Sequence, residues 1–379
     1  MRVAILSSYA LATFPGLYNV ALGLAAEGAD VLVASRDRPE DLQPPLPKGI
    51  THTRLPRKAN RKGLRALALL HGDGLSILAR FQPDWIIAEH ELVVTALAYK
   101  MALPFRRTRI AAFFCDYYDN RHMKFIGRLA SLLDAYVDVC DLRHSWRRRD
   151  WPKLVAPGFV IRLSPVLTTP PPAVDRPPSS PRVVFTSSFH VLTSMDRDRL
   201  TRFFDRLCSR GITLDWYLYG APNQPEATRR MVEIARGIIV HPGYRVLEQL
   251  PKAELYALLP SYDAGLHWAP VAEAENANAF WKAYFLSAAS NKVGEYIAAG
   301  LAVAYAGNPG LRYLPDSLSI AFDPTDPEQG ADQLADRLLD AAWLKSAKEA
   351  ARRYHREEMN AEAQTAPLVR HILGQPSKA

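Results

Sequence analysis

The stretch Ala288-Ala-Ser-Asn-Lys-Val-Gly-Glu-Tyr-Ile-Ala-Ala-Gly-Leu-Ala-Val-Ala-Tyr-Ala-Gly-Asn-Pro-Gly310 decides the fold of this 379-residue chain. It predicts a loop, a short helix, a glycine stop and a buried strand. Ser290 or Asn291 can cap the helix by accepting a hydrogen bond from an amide of its first turn. Gly300 suits the left-handed residue that ends it. The apolar run 301–306 is typical of a strand buried on both faces of a parallel sheet.

Two charged side chains lie near the start of this helix. Lys292 and Glu295 are three residues apart and therefore occupy neighbouring positions on its surface. Helix amides with a lysine suit a phosphate, and a carboxylate suits sugar hydroxyls. The pair predicts a site for a ligand that carries both groups. A surface ion pair between the two side chains is the alternative.

The stretch resembles the donor-site signature of GT-B glycosyltransferases, especially the retaining family 4 enzymes. Those commonly show Pro-Asn-Lys-hydrophobic-x-Glu-Tyr-Met-Ala-Ala-Gly-Leu-Pro-Val. Ser290 and Ala302 stand here where the family has proline. The first glutamate of the family's Glu-x7-Glu motif falls at Ser287, so one sugar contact is missing from the pattern.

The resemblance implies that Lys292 neutralises the leaving diphosphate of a nucleotide sugar and that Glu295 holds its ribose. Ser290 and Asn291 would lie beside them. The donor would be a UDP-, GDP- or dTDP-sugar, with no permanently bound cofactor. GT-B enzymes do not depend on an Asp-x-Asp metal motif, so the resemblance implies no metal.

The rest of the chain predicts two α/β domains. Arg2-Val-Ala-Ile-Leu-Ser-Ser8 and Arg182-Val-Val-Phe-Thr-Ser-Ser188 are strands of one design, and each begins an alternating strand–helix series. Seven prolines between Pro165 and Pro181 predict a stiff linker. We therefore expect the GT-B arrangement of two Rossmann-like domains with parallel sheets facing a cleft. Its parts are an acceptor-binding domain at 1–165, the linker at 166–181, and a nucleotide-sugar-binding domain with C-terminal helices at 182–379.

Two predicted strands of the first domain end in titratable side chains, Glu89-His90-Glu91 after one and Asp116 after the next. Ligands of open parallel sheets bind beyond the carboxyl ends of the strands. The family has acceptor-side histidines at such strand ends, so the resemblance nominates His90 and Asp116 as catalytic residues. Asp116 stands where the second histidine is expected. A structural role for His90 is an equal alternative.

Further candidate contacts come from other strand ends and turns. By the resemblance, Tyr244 or Arg245 would lie against the nucleotide base, with an exposed turn as the equal alternative. Ser188 and Gly220 end predicted strands of the second domain. Gly16 precedes the first helix and lets a substrate approach the backbone. The first strand–loop–helix unit lacks a full G-x-G-x-x-G, which disfavours a dinucleotide cofactor.

The net charge of +8 is uneven. Residues 1–165 hold 24 Lys/Arg against 15 Asp/Glu, and the remainder 23 against 24. The basic half suggests an anionic partner such as lipid head groups, a lipid pyrophosphate or nucleic acid. The basic run 57–62 suits a membrane-surface contact, and the Arg/Trp cluster 143–153 suits a membrane interface or, by stacking, single-stranded nucleic acid. Solvated helix ends are the alternative for both.

The three cysteines have no metal-ligand spacing and predict buried reduced thiols. No run approaches the ~20 apolar residues of a membrane span, and the first residues lack a signal-peptide core. We expect a cytoplasmic protein, peripheral at the inner face of the membrane where the basic half binds it.

These features together predict a glycosyltransferase of the hexosyltransferase type, retaining and metal-independent. Its acceptor would be a glycan or lipid-linked sugar of cell-surface polysaccharide or glycolipid synthesis. The alternative is an inactive GT-B scaffold whose basic half binds anionic membrane or nucleic acid. Nucleic acid is the disfavoured partner.

Overall fold

A computed structural model of the chain gives the fold in two compact units, Met1–Thr168 with Asn360–Ala379 and Thr169–Met359. The structure describes residues 1–8, 11, 15–36, 46–55, 64–115, 121–162, 165, 180–188, 197–219, 225–268 and 290–376. Each unit is built on one parallel sheet with helices packed on it. The predicted linker 166–181 lies outside these ranges except for residues 180 and 181.

The described strands of the first unit are β1 (Arg2–Leu6), β2 (Asp30–Ser35), β3 (Ile50–Arg54), β4 (Trp85–Glu89), β5 (Arg109–Phe114), β6 (Ala135–Asp138) and β7 (Gly158–Val160). They pair in parallel in the order β3-β2-β1-β4-β5-β6-β7. Residues Val3 to Leu6 of the central strand β1 are wholly buried. Burial on both faces explains why this run is continuously apolar rather than alternating.

The described strands of the second unit are β8 (Arg182–Ser188), β9 (Thr213–Tyr219), β10 (Tyr244–Leu247), β11 (Ala264–Trp268), β12 (Ala302–Ala306) and β13 (Ser319–Phe322). They pair in parallel in the order β10-β9-β8-β11-β12-β13. The two strands with similar sequences, β1 and β8, occupy central positions in their sheets. The prediction of two parallel-sheet domains is confirmed.

The described helices are α1 (Pro15–Ala26), α2 (Leu64–Phe81), α3 (Leu92–Ala102), α4 (Arg121–Arg128), α5 (Asp141–Asp150), α6 (Arg197–Ser209), α7 (Pro225–Arg236), α8 (Lys252–Leu258), α9 (Asn291–Ala298), α10 (Pro327–Leu339), α11 (Ala341–Tyr354) and α12 (Ala361–Leu373). Within the described ranges, no helix combines the length and the apolar character that crossing a membrane requires.

Helices α3, α4 and α5 connect neighbouring strands from β4 to β7. Right-handed crossovers in that order place all three on one face of the sheet. Leu97 of α3 and Ile126 of α4 accordingly belong to one hydrophobic cluster with the strands. Because each helix runs antiparallel to the strand that precedes it, all three helices end at the amino edge of the sheet. The loops before β5, β6 and β7 lie at that edge too.

The final helix α12 belongs to the first unit rather than the second. It packs on α1, where a Cβ on Gly23 would lie 3.2 Å from Thr365 and from Val369. The Arg162 N–H donates to the Gln364 side chain at 2.8 Å. The predicted second-domain range 182–379 therefore ends too late, because the apolar face of α12 is buried against the first unit.

Candidate active site

The loop–helix–strand pattern of the opening stretch is present in the second unit. Helix α9 is followed by Gly300 at a left-handed φ of 73° and then by β12. Strand β12 pairs with β11, which precedes the helix. Helix α9 therefore begins at the carboxyl edge of the sheet, where parallel sheets bind ligands. Lys292 and Glu295 lie in its first turns.

The helix start has no side-chain cap from Ser290. Ser290 holds the N-cap position with extended backbone, but in the described part of the chain its side chain accepts no hydrogen bond from the first turn. Asn291 is already the first helical residue. The predicted side-chain cap is therefore wrong for Ser290, and the first-turn amides point toward the carboxyl edge, where they suit an anion.

Tyr296 fastens α9 to the sheet. Its hydroxyl accepts a hydrogen bond from the Thr186 N–H at 3.0 Å, shares one with the Thr186 hydroxyl at 2.7 Å and donates to the Leu266 carbonyl at 3.3 Å. A Cβ on Gly265 would lie 2.2 Å from the Tyr296 ring. Glycine at this position lets the ring pack directly on β11. These contacts to β8 and β11 fix where the helix start lies.

The Glu295 carboxylate lies inside the site rather than on the surface. It is 8% exposed and accepts a hydrogen bond from the Tyr256 hydroxyl of α8 at 3.0 Å. Burial, and then the Glu295 charge, raise the pKa of Tyr256 and of Tyr219. Tyr219 ends β9 and pairs with Ser188, the last residue of β8. Two neutral phenols thus surround a carboxylate at the carboxyl edge, an arrangement suited to binding sugar hydroxyls.

Lys292 and His267 form a second pair of polar groups at this edge. Burial lowers the pKa of Lys292, although the nearby Glu295 charge opposes that shift. Burial, and then the Lys292 charge, lower the pKa of His267 to about 3. His267 is 8% exposed, and its Nδ1 has no hydrogen-bond partner among the described residues. A neutral imidazole beside an ammonium group can bind a ligand that offers both an anion and a hydroxyl.

The structure does not bring Tyr244 and Arg245 to this site. Tyr244 begins β10 and pairs with Leu214 near the amino end of β9. Leu214 is five residues from the carboxyl end of β9 at Tyr219, or about 16 Å along the strand. The Tyr244 hydroxyl donates to the Ala235 carbonyl, and Arg245 binds Asp215 through two hydrogen bonds of 2.6 and 2.7 Å. Both residues stabilise the amino edge, so we do not retain them as base contacts.

The other predicted donor contacts are placed as follows. Ser188 lies at the carboxyl edge as the last residue of β8, and its side chain is outside the described part. Gly220 and Ser287 lie outside the described residues. Gly16 is buried in the first turn of α1. The two residues after the carboxyl end of β10, Glu248 and Gln249, are exposed.

His90 lies at the carboxyl edge of the first sheet, directly after β4. It is 3% exposed, and its Nε2 is 3.7 Å from Oε1 of Glu89, which is wholly buried. The Ser7 hydroxyl at the end of β1 donates to Oε2 of Glu89 at 2.5 Å. Asp116 lies outside the described residues. The structure therefore places Glu89 beside His90 and Ser7 beside Glu89, and neither residue was among the predicted site residues.

Two arginines of the Arg/Trp cluster 143–153 are buried and make contacts within the first unit. Arg143 is 1% exposed and donates to the Cys115 carbonyl. Arg147 is equally buried, binds Asp138 at 2.7 Å and stacks 3.8 Å above the Phe114 ring. These two arginines are unavailable to a membrane or nucleic acid, so that interpretation is wrong for them. The basic run 57–62 lies outside the described residues.

Comparisons with known proteins place this architecture in a known fold. No protein-family model and no curated protein sequence matches the chain. Among solved structures, sucrose-phosphate synthase from Thermosynechococcus elongatus matches with a TM-score of 0.70 and 13% identity over 99% of both chains. The α,α-trehalose-phosphate synthase (UDP-forming) from Burkholderia vietnamiensis matches with a TM-score of 0.67 and 12% identity over 99% of this chain and 100% of that chain. Anabaena HepE in complex with UDP and glucose matches with a TM-score of 0.65 and 10% identity over 99% of this chain and 100% of that chain.

These structures are GT-B glycosyltransferases. The chain therefore has the GT-B fold, as predicted from the stretch around α9.

Proposed function

We propose that the protein is a glycosyltransferase that binds a nucleotide sugar at the start of α9 and transfers the sugar to a glycan or lipid-linked acceptor. The observation that carries the proposal is the group His267, Lys292 and Glu295 at the carboxyl edge of the second sheet. Tyr256 and Tyr296 hold this group in place. The UDP and glucose bound to HepE, which has the same fold, support a nucleotide-sugar ligand.

The geometry suggests how each residue acts on the donor. As the bond from the anomeric carbon to the diphosphate oxygen breaks, negative charge grows on the leaving group, and fixed donors that meet it lower the barrier. Lys292 and the α9 amides are such donors. An ammonium group whose burial already costs free energy binds an anion more strongly than a solvated one does. Because this cation takes the role that a metal plays elsewhere, we propose a metal-independent donor site.

The remaining groups bind the sugars. Glu295 accepts hydrogen bonds from the ribose hydroxyls, with Tyr256 fixing its carboxylate. His267 is neutral over the whole physiological pH range and hydrogen-bonds the transferred sugar. The acceptor oxygen forms the new bond to the anomeric carbon, and its proton passes to the departing diphosphate. His90 and Glu89 are the candidates to orient the acceptor hydroxyl. We propose a retaining outcome from the resemblance of the α9 stretch alone.

A nucleotide screen tests the proposal. Thermal unfolding measured with UDP-, GDP- and dTDP-sugars should show stabilisation by one nucleotide class, about 2.7 kcal/mol at a hundredfold excess over Kd. The free nucleoside diphosphate should stabilise as well, since it carries the groups that Lys292 and Glu295 bind. If no nucleotide stabilises the protein and it instead binds DNA or vesicles in a salt-sensitive manner, the scaffold alternative is correct.

We further propose that the protein is cytoplasmic and attaches to an anionic membrane through the amino edge of the first sheet. Three apolar side chains at the end of α3 and before β5 and β7 are exposed: Met101 at 53%, Phe105 at 98% and Val155 at 82%. Exposed basic residues lie at the same edge, namely Arg106, Arg107, Arg128, Arg148 and Lys153. Apolar side chains among basic ones suit a lipid head-group region. The opposite edge, with His90, stays open.

Vesicle co-sedimentation tests this surface. Vesicles with phosphatidylserine should retain the protein and added salt should release it. The double variant Arg106→Gln/Arg107→Gln should bind roughly 30-fold more weakly, at about 1 kcal/mol for each basic residue. The variant Phe105→Ser should also weaken vesicle binding. Its matched control is Val240→Ser, which changes a wholly exposed apolar residue of the second unit and should leave vesicle binding unchanged. Equal vesicle binding by wild type and the double variant would contradict the proposal.

A further inference from the structure

Three buried side chains of metal-binding types meet at the carboxyl edge of the first sheet. Glu89 ends β4, His90 follows it and Cys115 follows β5. One ligand atom from each lies within 4.8 Å of the other two. The residues are 0%, 3% and 3% exposed, respectively. A carboxylate, an imidazole and a thiol therefore converge where water is largely excluded.

The backbone brings two consecutive side chains to one side of the sheet. Neighbouring residues of a strand normally point to opposite faces. His90 instead has φ 41°, in the left-handed region that non-glycine residues rarely adopt. Its N–H donates to the Phe113 carbonyl at 3.3 Å, which ties it to β5 beside Cys115. The structure holds His90 in a strained conformation that directs its ring to Glu89.

Outer contacts orient the cluster. The Ser7 hydroxyl donates to Oε2 of Glu89, while Oε1 is the oxygen 3.7 Å from the His90 ring. The buried Arg143 guanidinium donates to the backbone carbonyl of Cys115. Hydrogen bonds of this kind commonly fix the orientation of metal ligands.

We infer that Glu89, His90 and Cys115 bind a zinc ion. Thiolate, imidazole and carboxylate are the ligands that Zn²⁺ takes, whereas Mg²⁺ and Ca²⁺ require oxygen ligands. The charges of one thiolate and one carboxylate balance the ion, so the occupied site is neutral and can be buried. Tetrahedral zinc needs ligand atoms roughly 3.5 Å apart, and the three atoms lie within 4.8 Å of one another. With three protein ligands, the fourth position is open to water or a substrate hydroxyl, so an acceptor hydroxyl would contact the ion rather than the His90 and Glu89 side chains themselves.

This site is independent of the proposed donor site, since its residues belong to the first unit and α9 to the second. Cobalt and zinc titrations of the metal-free full-length protein test it. We expect one ion per chain and, with Co²⁺, the near-ultraviolet charge-transfer band of a thiolate ligand. Cys115→Ser should abolish that band and lower zinc affinity at least tenfold. Ser7→Ala should lower affinity by about 10–100-fold.

Cys208→Ser is the matched control, because Cys208 is an equally buried thiol of the second unit. It should leave zinc affinity and the cobalt band unchanged. The inference is overturned if the wild-type protein binds no stoichiometric zinc or if Cys115→Ser keeps the cobalt band. Where circular dichroism shows that Cys115→Ser does not fold, Glu89→Gln replaces it, and wild-type zinc affinity in that variant overturns the inference equally.

Discussion

Replacing Lys292 with alanine should lower the rate of sugar transfer by about 10²–10³-fold, the usual loss when one fixed donor to a developing anion is removed. Lys292 lies at the first turn of α9, and burial lowers its pKa. Its charge is therefore poorly solvated without a ligand and is well placed to bind a diphosphate. The measurement is kcat/KM for release of nucleoside diphosphate from the donor found in the screen.

Lys345→Ala is the control for this variant. Lys345 is an exposed lysine of α11 in the same unit, so its removal should leave kcat/KM unchanged. Lys292→Ala should also unfold at the wild-type temperature or slightly above it, because it removes a partly buried cation whose desolvation costs free energy. Wild-type turnover by Lys292→Ala would show that the diphosphate is bound elsewhere.

Replacing Asp215 with alanine should destabilise the second unit by about 3–5 kcal/mol, as expected when one partner of a buried ion pair is removed. The Asp215 carboxylate is wholly buried. It accepts hydrogen bonds from Arg182 at 2.6 Å, from Arg245 at 2.6 and 2.7 Å and from Tyr262 at 2.7 Å. Its loss leaves two arginines without their anion. Urea unfolding measures the effect, and a loss below about 1 kcal/mol would contradict this assignment.

The same carboxylate makes stability depend on pH. Burial favours its protonation, but the donors Arg245, Tyr262 and Arg182 outweigh burial and hold the pKa of Asp215 below its usual range. A group with a lowered pKa contributes its full stability above the unfolded value and loses it as pH falls through the folded value. Wild type should therefore lose stability below about pH 4, and Asp215→Asn should lack that component. Asp205→Asn, at an exposed carboxylate of α6, should keep it.

The α9 region was predictable because its signals are local. A glycine at a left-handed position, an apolar run after it and charged residues near the helix start all lie within one short stretch, and the structure has each where the sequence places it. Similarly, the repeated strand pattern predicted β1 and β8, because a strand buried on both faces must be continuously apolar.

The failures involve contacts between distant parts of the chain. The resemblance predicts Tyr244 or Arg245 at the nucleotide base, whereas pairing with β9 makes Tyr244 the first residue of a strand. Nothing in the local sequence shows at which end of a strand Tyr244 lies. Tyr296 matters through Thr186, 110 residues away. Helix α12 resembles the helices before it in sequence, and only its packing on α1 assigns it to the first unit.

The Glu89, His90 and Cys115 cluster was not predicted for the same reason, since it too depends on contacts between separate parts of the chain. The cysteines lack metal-ligand spacing along the chain, because two of the three ligands come from one strand end and the third from the neighbouring strand. Only the left-handed backbone at His90 brings them together, and a histidine gives no sequence signal for that conformation. His267 carried a weaker signal, since it lies within the short apolar run 264–268.

Hydrogen exchange with and without a nucleoside diphosphate tests the location of the donor site most directly. Bound ligand should protect the amides of 290–298 and of α8 at 252–258, because the phosphate contacts the α9 amides and Tyr256 supports Glu295. Exchange in 236–247 should not change, since Tyr244 and Arg245 make structural contacts at the opposite edge. Protection of 236–247 with none at 290–298 would contradict the placement of the donor on α9.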